Sequence, residues 1–147
     1  MTDAFIGRGN AHDDRGELDK AIQDYSEVIR LDPKNAIAWN NRCYARAKIN
    51  QLELALSDCN QSLSLEPDVS QTLDSRGFTY LKIGKLDNAI ADFDAALRLD
   101  SRLASSLYGR GIAKRKKGDS NGSNADLAAG KAIQRDIDEE LKGYGFD

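Results

Sequence analysis

Apolar residues recur at helical spacing in the middle of the chain, in two stripes separated by Gly84. The first stripe consists of Leu73, Gly77, Tyr80 and Leu81, and the second of Leu86, Ala89, Ile90, Phe93, Ala96 and Leu97. Most neighbours within a stripe are three or four residues apart, which places their side chains on one side of an α-helix. Glycine is common just past a helix end because it tolerates a positive φ. The pattern therefore predicts two amphipathic helices joined by a tight turn at Gly84.

The same pattern recurs every 34 residues along the chain. Every copy has an arginine at one position (Arg8, Arg42, Arg76 and Arg110) and an aspartate at another (Asp24, Asp58, Asp92 and Asp126). A single helix pair cannot bury both of its stripes, whereas stacked pairs bury them in a continuous core. We therefore predict one domain over residues 1–147 that contains four helix pairs, at 2–35, 36–69, 70–103 and 104–135.

Glycine, asparagine and proline give approximate helix bounds within the pairs. In the first pair we expect helices over about residues 3–15 and 18–31, with Gly16 at the turn. The corresponding turn residues of the other pairs are Asn50, Gly84 and Gly118. Pro33 and Pro67 follow the second helices of the first two pairs, and proline disfavours helical geometry in the residue before it.

Two stretches depart from the repeat. Residues 119–123, DSNGS, have low helix propensity, so we expect the second helix of the fourth pair to start late or to fray. Residues 136–147 break the period, although Ile133, Ile137, Leu141 and Tyr144 keep helical spacing. We predict that a short C-terminal helix covers the last open stripe, because repeat arrays need a capped end.

The composition excludes several classes of function. A formal net charge of −3 is too small to indicate nucleic-acid binding, and no apolar run approaches the roughly 20 residues that span a membrane. The N-terminus, MTDAFIGRGN, lacks a basic segment followed by an apolar one, so we expect no secretory signal. These features are also compatible with a chain that is part of a longer protein.

The two cysteines, Cys43 and Cys59, lie on apolar stripes of the second helix pair. The favoured interpretation is two buried free thiols that act as small hydrophobic side chains, since nothing in the sequence indicates an oxidising compartment. A disulfide between the two helices is the alternative. Two cysteines without a histidine partner do not predict a zinc site, and we expect neither a metal nor a cofactor.

The repeat resembles the tetratricopeptide repeat (TPR), a helix-turn-helix unit of the same length. The matching residues are Phe5, Gly9, Ala21, Tyr25 and Pro33 in the first copy, Trp39, Cys43, Ala55 and Pro67 in the second, Leu73, Gly77, Tyr80, Ala89, Phe93 and Ala96 in the third, and Leu107, Gly111 and Leu127 in the fourth. His12, Arg46 and Lys114 depart from the family pattern, which has an aromatic residue there. The resemblance, which is to bacterial members, implies a cytoplasmic location and an all-α solenoid with a right-handed superhelical twist. It also implies that the first helices line a concave groove.

The arginine and the aspartate that occur in every copy most simply serve the scaffold. We predict that they form ion pairs: Arg8 with Asp24, Arg42 with Asp58, Arg76 with Asp92, and Arg110 with Asp126. Partly buried pairs of this kind fix geometry more than they add stability.

Residues that contact a ligand should instead lie at first-helix positions that vary among the copies and, by the family resemblance, point into the groove. Apolar residues away from the core stripe need another partner. We therefore predict a peptide-binding groove formed by Asn10, Asn40, Asn41, Tyr44, Asp74, Phe78, Tyr108 and Ile112. The alternative is that an adjacent helix or the chain's own tail covers these side chains.

One subclass of the family clamps the C-terminal carboxylate of a peptide between asparagines and cations. Asn10 and Asn41 match its asparagines, but Ile6, Gln71 and Ser75 stand where it has cations, so we expect no chaperone-tail binding of that type. No nucleophile–base set or paired carboxylates indicate an enzyme.

The sequence thus predicts a non-catalytic protein-interaction module that binds a peptide segment of a partner, with no nucleic acid or membrane as partner. The alternative function is a structural subunit that self-associates into a homo-oligomer, through its open ends or through the groove.

Overall fold

The computed structural model describes residues 1–147, which form helices joined by short turns and no strands. In chain order the helices are α1 (Thr2–Asp14), α2 (Leu18–Leu31), α3 (Ala36–Lys48), α4 (Leu52–Leu65), α5 (Ser70–Ile83), α6 (Leu86–Leu99), α7 (Ala104–Lys116), α8 (Ser120–Ile133) and α9 (Ile137–Gly143). The protein therefore has the all-α helical-repeat architecture that the sequence predicts. Each predicted pair contributes two helices, and α9 lies in the predicted C-terminal segment.

The helices form two compact units. Unit 1 comprises Met1–Pro67 and contains α1–α4, and unit 2 comprises Asp68–Asp147 and contains α5–α9. Within unit 1 the paired helices pack against each other, and α2 also packs against α3. Within unit 2, α6 packs against α7, and α9 packs against α7 and α8.

The turns between paired helices depend on a left-handed residue, as the sequence predicts. Gly84 has φ 92° and Asn50 has φ 65°, and the glycines at the two other turns also have a positive φ. Asparagine accepts this conformation more readily than other residues with a side chain. Each turn brings the second helix back along the first with only a few intervening residues.

The expectation of a late or frayed start for α8 is wrong. The helix begins at Ser120, in the same register as α2, α4 and α6. Asp119 caps it, because its Oδ1 accepts a hydrogen bond of 2.9 Å from the backbone N–H of Gly122. An N-cap of this kind stabilises a helix end by about 1 kcal/mol, which offsets the poor propensity of the residues that follow.

Small residues of the first helices face large residues of the second helices. A Cβ atom added to Gly9 would lie 2.7 Å from Cε1 of Tyr25, and one added to Gly77 would lie 2.7 Å from Cε1 of Phe93. Gly111 faces Leu127 in the same way, with an added Cβ 2.8 Å from Cδ2 of Leu127. The absence of a side chain thus lets the ring or branched side chain fill the space between the paired helices.

In the second pair a disulfide occupies this contact, and the favoured interpretation of Cys43 and Cys59 as free thiols is wrong. The two residues are bonded, with their Cα atoms 5.4 Å apart, and both are fully buried. They occupy the positions of Gly9 and Tyr25 one period earlier, so the spacing of 16 residues already placed them face to face. Disulfides are typical of oxidising compartments, so this bond weighs against the cytoplasmic location expected from the sequence.

The close approach at Gly9 gives a paired prediction. We expect Gly9→Ala to be less stable than Gly7→Ala by about 1–3 kcal/mol in free energy of unfolding, because the new methyl group overlaps the buried Tyr25 ring. Both changes gain about 1 kcal/mol of helix propensity, but a Cβ at Gly7 has no neighbouring atom within 4 Å. Urea denaturation of both variants measures the difference, and equal stabilities would show that the ring yields without cost.

The disulfide gives a second prediction. Reduction should lower the free energy of unfolding by about 3 kcal/mol. The bond joins residues that are 16 apart in sequence, and reduction releases this closed loop in the unfolded chain. Thermal unfolding with and without reductant measures the loss, and thiol titration of unfolded protein should find no free thiol before reduction. The Cys43→Ala/Cys59→Ala double variant is the control, since reductant should not change its melting temperature.

Candidate functional site

The four arginine–aspartate pairs are present, as the sequence predicts, and all join the two helices of one pair. Each guanidinium donates two hydrogen bonds of 2.7–2.9 Å to the two oxygens of one carboxylate. In the first pair, the hydrogen bonds from Arg8 hold the pKa of the Asp24 carboxyl below its usual range. These residues belong to the scaffold and do not form a site for a ligand.

A third residue reaches these aspartates in three of the pairs, and the sequence analysis missed it. Arg46 Nη1 lies 2.7 Å from Asp58 Oδ2, and Lys114 Nζ lies 2.8 Å from Asp126 Oδ2. His12 occupies the equivalent position, with Nε2 3.9 Å from Asp24 Oδ2. The departures from the family's aromatic position are thus additional partners of the scaffold carboxylates. Their regular spacing from the aspartates was the signal that could have revealed them.

The predicted groove residues fall into two sets, one in each unit. We call Asn10, Asn40, Asn41 and Tyr44 the unit-1 face, and Asp74, Phe78, Tyr108 and Ile112 the unit-2 face. The two sets differ in how much of their surface is available to a ligand.

The unit-1 face contains a pair of amides that join α1 to α3. Asn41 Nδ2 donates to Asn10 Oδ1 over 3.1 Å, and the Tyr25 hydroxyl donates to the same oxygen over 2.8 Å. Burial raises the pKa of Tyr25, so this phenol remains a donor at neutral pH and fixes the orientation of the Asn10 amide. Asn10 Nδ2 and Asn41 Oδ1 make no hydrogen bond within the protein. One donor and one acceptor therefore remain on an exposed and a half-buried residue.

Tyr44 is held in place beside this amide pair. The Lys48 ammonium lies 4.5 Å from the centre of the Tyr44 ring, and its Nζ is 2.6 Å from Asp13 Oδ1. The cation–π contact with Lys48 holds the ring in place. The charge of Lys48 is in turn balanced by Asp13. Tyr44 itself is half-buried.

Asn40 of the unit-1 face is half-buried. Its Oδ1 is buried and has no hydrogen-bond partner. A buried acceptor without a partner costs about 1–3 kcal/mol, and a ligand could reach this amide only through its other atoms.

The unit-2 face is covered by the C-terminal segment. Phe78 is fully buried, and its ring centre lies 4.7 Å from that of Phe146 and 4.9 Å from that of Phe93. Ile112 is also buried, whereas Tyr108 is half-buried. Tyr108 and Ile112 line a pocket of about 280 Å³ that opens between α7 and α9, together with Phe146 and charged residues of both helices. The tail thus covers part of the face predicted for a ligand, as the alternative interpretation anticipated.

Asp74 connects α5 to α7 at the unit-2 face. Its Oδ1 accepts a hydrogen bond of 2.5 Å from the Ser106 hydroxyl, and its Oδ2 accepts one of 3.0 Å from Ser105. Burial raises the pKa of this carboxyl from 3.8 to about 7, although the two serine hydroxyls act in the opposite direction. Both oxygens of Asp74 are therefore already occupied, in an environment that favours the neutral acid.

The shifted pKa gives a prediction for the pH dependence of stability. Because the folded state holds this proton more tightly than the unfolded state, the contribution of Asp74 is largest below its unfolded pKa and is lost as pH rises towards 7. Asp74→Asn should flatten this slope and raise the free energy of unfolding at about pH 8 by about 1–3 kcal/mol.

Urea denaturation at about pH 5 and about pH 8 tests this expectation. Asp68→Asn, at an exposed position of the same unit, is the matched control and should keep the wild-type slope. A wild-type pH profile that Asp74→Asn leaves unchanged would contradict the assignment.

The paired helices, the left-handed turns and the small-to-large contacts define a helix-turn-helix repeat protein. Family models for this repeat match residues 9–50, as "TPR repeat", and residues 70–102, as "Tetratricopeptide repeat". Together the two matches span about half of the chain. The chain belongs to the tetratricopeptide repeat family.

Solved structures with this fold include three that are informative. The thermophilic TPR protein TTC0263 of Thermus thermophilus has a TM-score of 0.87 at 16% identity, over 98% of this chain and 81% of that one. The first TPR of Spaghetti (RPAP3), bound to the HSP90 peptide SRMEEVD, has a TM-score of 0.74 at 23% identity, over 80% and 93%. YrrB, described as a TPR protein with an unusual peptide-binding site, has a TM-score of 0.73 at 21% identity, over 97% and 74%. At these identities the likeness concerns the fold.

No helix is both long enough and apolar enough to cross a membrane.

Proposed function

We propose that this chain is a non-catalytic protein-interaction module that binds a peptide segment of a partner protein. The proposed contact residues are Asn10, Asn40, Asn41 and Tyr44 of the unit-1 face and Asp74, Phe78, Tyr108 and Ile112 of the unit-2 face. In the present structure the unit-1 face is the more accessible of the two, so it would engage a peptide first.

The amide pair of the unit-1 face carries this proposal. The Tyr25 hydroxyl and the Asn41 amide both direct their hydrogens at Asn10 Oδ1, which leaves the Asn10 Nδ2 donor and the Asn41 Oδ1 acceptor. In an extended ligand the N–H and C=O of one residue point to the same side, so the Asn10 donor can bind that C=O and the Asn41 acceptor that N–H. Because both amides are held in place before binding, less conformational entropy is lost when the ligand arrives.

Tyr44 would supply the apolar contact next to the amide pair. Tyrosine offers a large contact area with few rotatable bonds, and aromatic residues are enriched among the residues that dominate binding energy. Its contact with Lys48 limits the motion of the ring further. We infer that the ligand places an apolar side chain on Tyr44 and the N–H and C=O of one residue on the amides.

Two of the structural relatives support a peptide as ligand through what they bind or contain. Spaghetti (RPAP3) was solved with the HSP90 peptide SRMEEVD, and YrrB has an unusual peptide-binding site. This chain lacks the cations of the carboxylate-clamping subclass, and Lys48, which contacts Tyr44 of the unit-1 face, is already paired with Asp13. We therefore propose a peptide ligand that is not recognised through its C-terminal carboxylate.

Selection from a random peptide library tests the proposal, because it requires no candidate partner. We expect selected peptides to bind Asn41→Ala and Tyr44→Ala each about ten-fold or more weakly than wild type, which corresponds to the loss of a dominant contact. Isothermal titration calorimetry measures the affinities. Gln23→Ala, at an exposed amide on α2, is the matched control and should bind like wild type.

The outcome separates this proposal from self-assembly. Selected peptides that bind Asn41→Ala and Tyr44→Ala with wild-type affinity would remove the unit-1 face as the site. A mass that increases with concentration in light scattering, together with failure to select any peptide, would instead favour the homo-oligomeric subunit.

A further inference from the structure

The C-terminal segment has a defined conformation that inserts an aromatic side chain into unit 2. Ile137 and Leu141 of α9 are buried at 1% exposure each, and so is Phe146 beyond the helix end. Gly145, with φ 79°, reverses the chain, and the Phe146 N–H donates to the Leu141 carbonyl over 2.8 Å. The reversal directs the Phe146 ring back towards α5. Three apolar side chains therefore attach this segment to unit 2.

The Phe146 ring contacts both an aromatic side chain and a cation. The ring centre lies 4.7 Å from that of Phe78, and the Lys82 ammonium lies 4.7 Å from the Phe146 ring centre. Burial lowers the pKa of Lys82, while the charge of the adjacent Asp147 acts in the opposite direction. These contacts thus suit an aromatic residue that is followed directly by an acidic one.

Several features make this segment displaceable. The helix α9 has 7 residues, too few to be stable in water without its contacts. Its outer side carries acidic residues, and a pocket of about 280 Å³ remains between α9 and α7. The segment is therefore held by a few apolar contacts and leaves part of the unit-2 face unfilled.

We propose that residues 136–147 are an internal ligand of the unit-2 face, which a partner segment of the same chemistry replaces. The replacing segment would be a short amphipathic helix followed by an aromatic residue and then an acidic residue. This inference rests on the proposed function as a peptide-binding module, and it names the ligand class of one of its two faces. The covered state would then keep the unit-2 face unavailable to weaker ligands.

A synthetic peptide of residues 136–147, DIDEELKGYGFD, is the probe. In the Phe146→Ala variant of residues 1–147 the internal anchor is removed, so we expect the fluorescently labelled peptide to bind. Binding to wild type should be at least about ten-fold weaker, because the tethered segment competes at an effective concentration in the millimolar range. Fluorescence anisotropy measures both affinities, and circular dichroism checks that the variant is folded.

Matched variants identify the contacts. Arg135→Ala, at an exposed position just before the segment, should leave the segment in place and bind the probe as weakly as wild type. A probe with alanine in place of its phenylalanine should not bind Phe146→Ala. Adding Lys82→Glu to Phe146→Ala should weaken probe binding, because the new carboxylate repels the acidic residue of the probe.

A measurement on the wild-type chain keeps the inference testable if Phe146→Ala does not fold. Excess unlabelled probe added to isotopically labelled wild-type protein should shift the NMR signals of residues 137–147 towards those of a flexible chain. Unchanged signals at millimolar probe, or equal probe binding by wild type and Phe146→Ala, would overturn the proposal. Since the library selection depends on Tyr44 and this test on Phe146, either proposal can fail without the other.

Discussion

The bidentate hydrogen bonding between arginine and aspartate sets the register of every helix pair. It lies next to the small-to-large contact, because Arg76 with Asp92 and Gly77 with Phe93 are both 16 residues apart and adjacent in sequence. A slip of one residue between the helices would separate the charges and drive a side chain into the ring. Such a slip is therefore opposed both by the cost of an unpaired, partly buried charge and by steric overlap. The constraint is local, and its ion pair recurs in all four pairs although their other residues differ.

This register has a consequence for the unit-1 and unit-2 faces. In each first helix, three consecutive residues serve as the ion-pair partner, the packing residue and the face residue. The four triplets are Arg8-Gly9-Asn10, Arg42-Cys43-Tyr44, Arg76-Gly77-Phe78 and Arg110-Gly111-Ile112. Successive residues of a helix point about 100° apart, so the third residue is free to vary while the first two are constrained. The fold thereby fixes where the third side chain lies and leaves its chemistry open.

Periodicity explains what could be predicted and what could not. The helix pairs, the left-handed turns and the ion pairs recur every 34 residues, so four copies reinforce one another in the sequence. Asp119 as a cap and Phe146 as a cover occur once, and their roles depend on one side chain or on a contact far along the chain. The burial of Phe78 could not be deduced for the same reason, since Gly145 must first reverse the chain. The disulfide was also not the favoured prediction. The residue types alone do not show whether two cysteines are bonded, although these two occupy a recognisable packing contact.

That disulfide shows that the contact between paired helices has two chemical solutions. Glycine against an aromatic ring or a leucine fills the gap with one large side chain, whereas Cys43 and Cys59 fill it with two small ones joined by a covalent bond. Changing only one partner leads either to a void or to a collision, so the two positions are energetically coupled. A repeat could pass between the solutions only by way of a less stable intermediate or a double change. The second repeat has a disulfide where the other repeats have glycine against a large side chain. A mutational barrier, rather than a single tolerated substitution, therefore separates it from them.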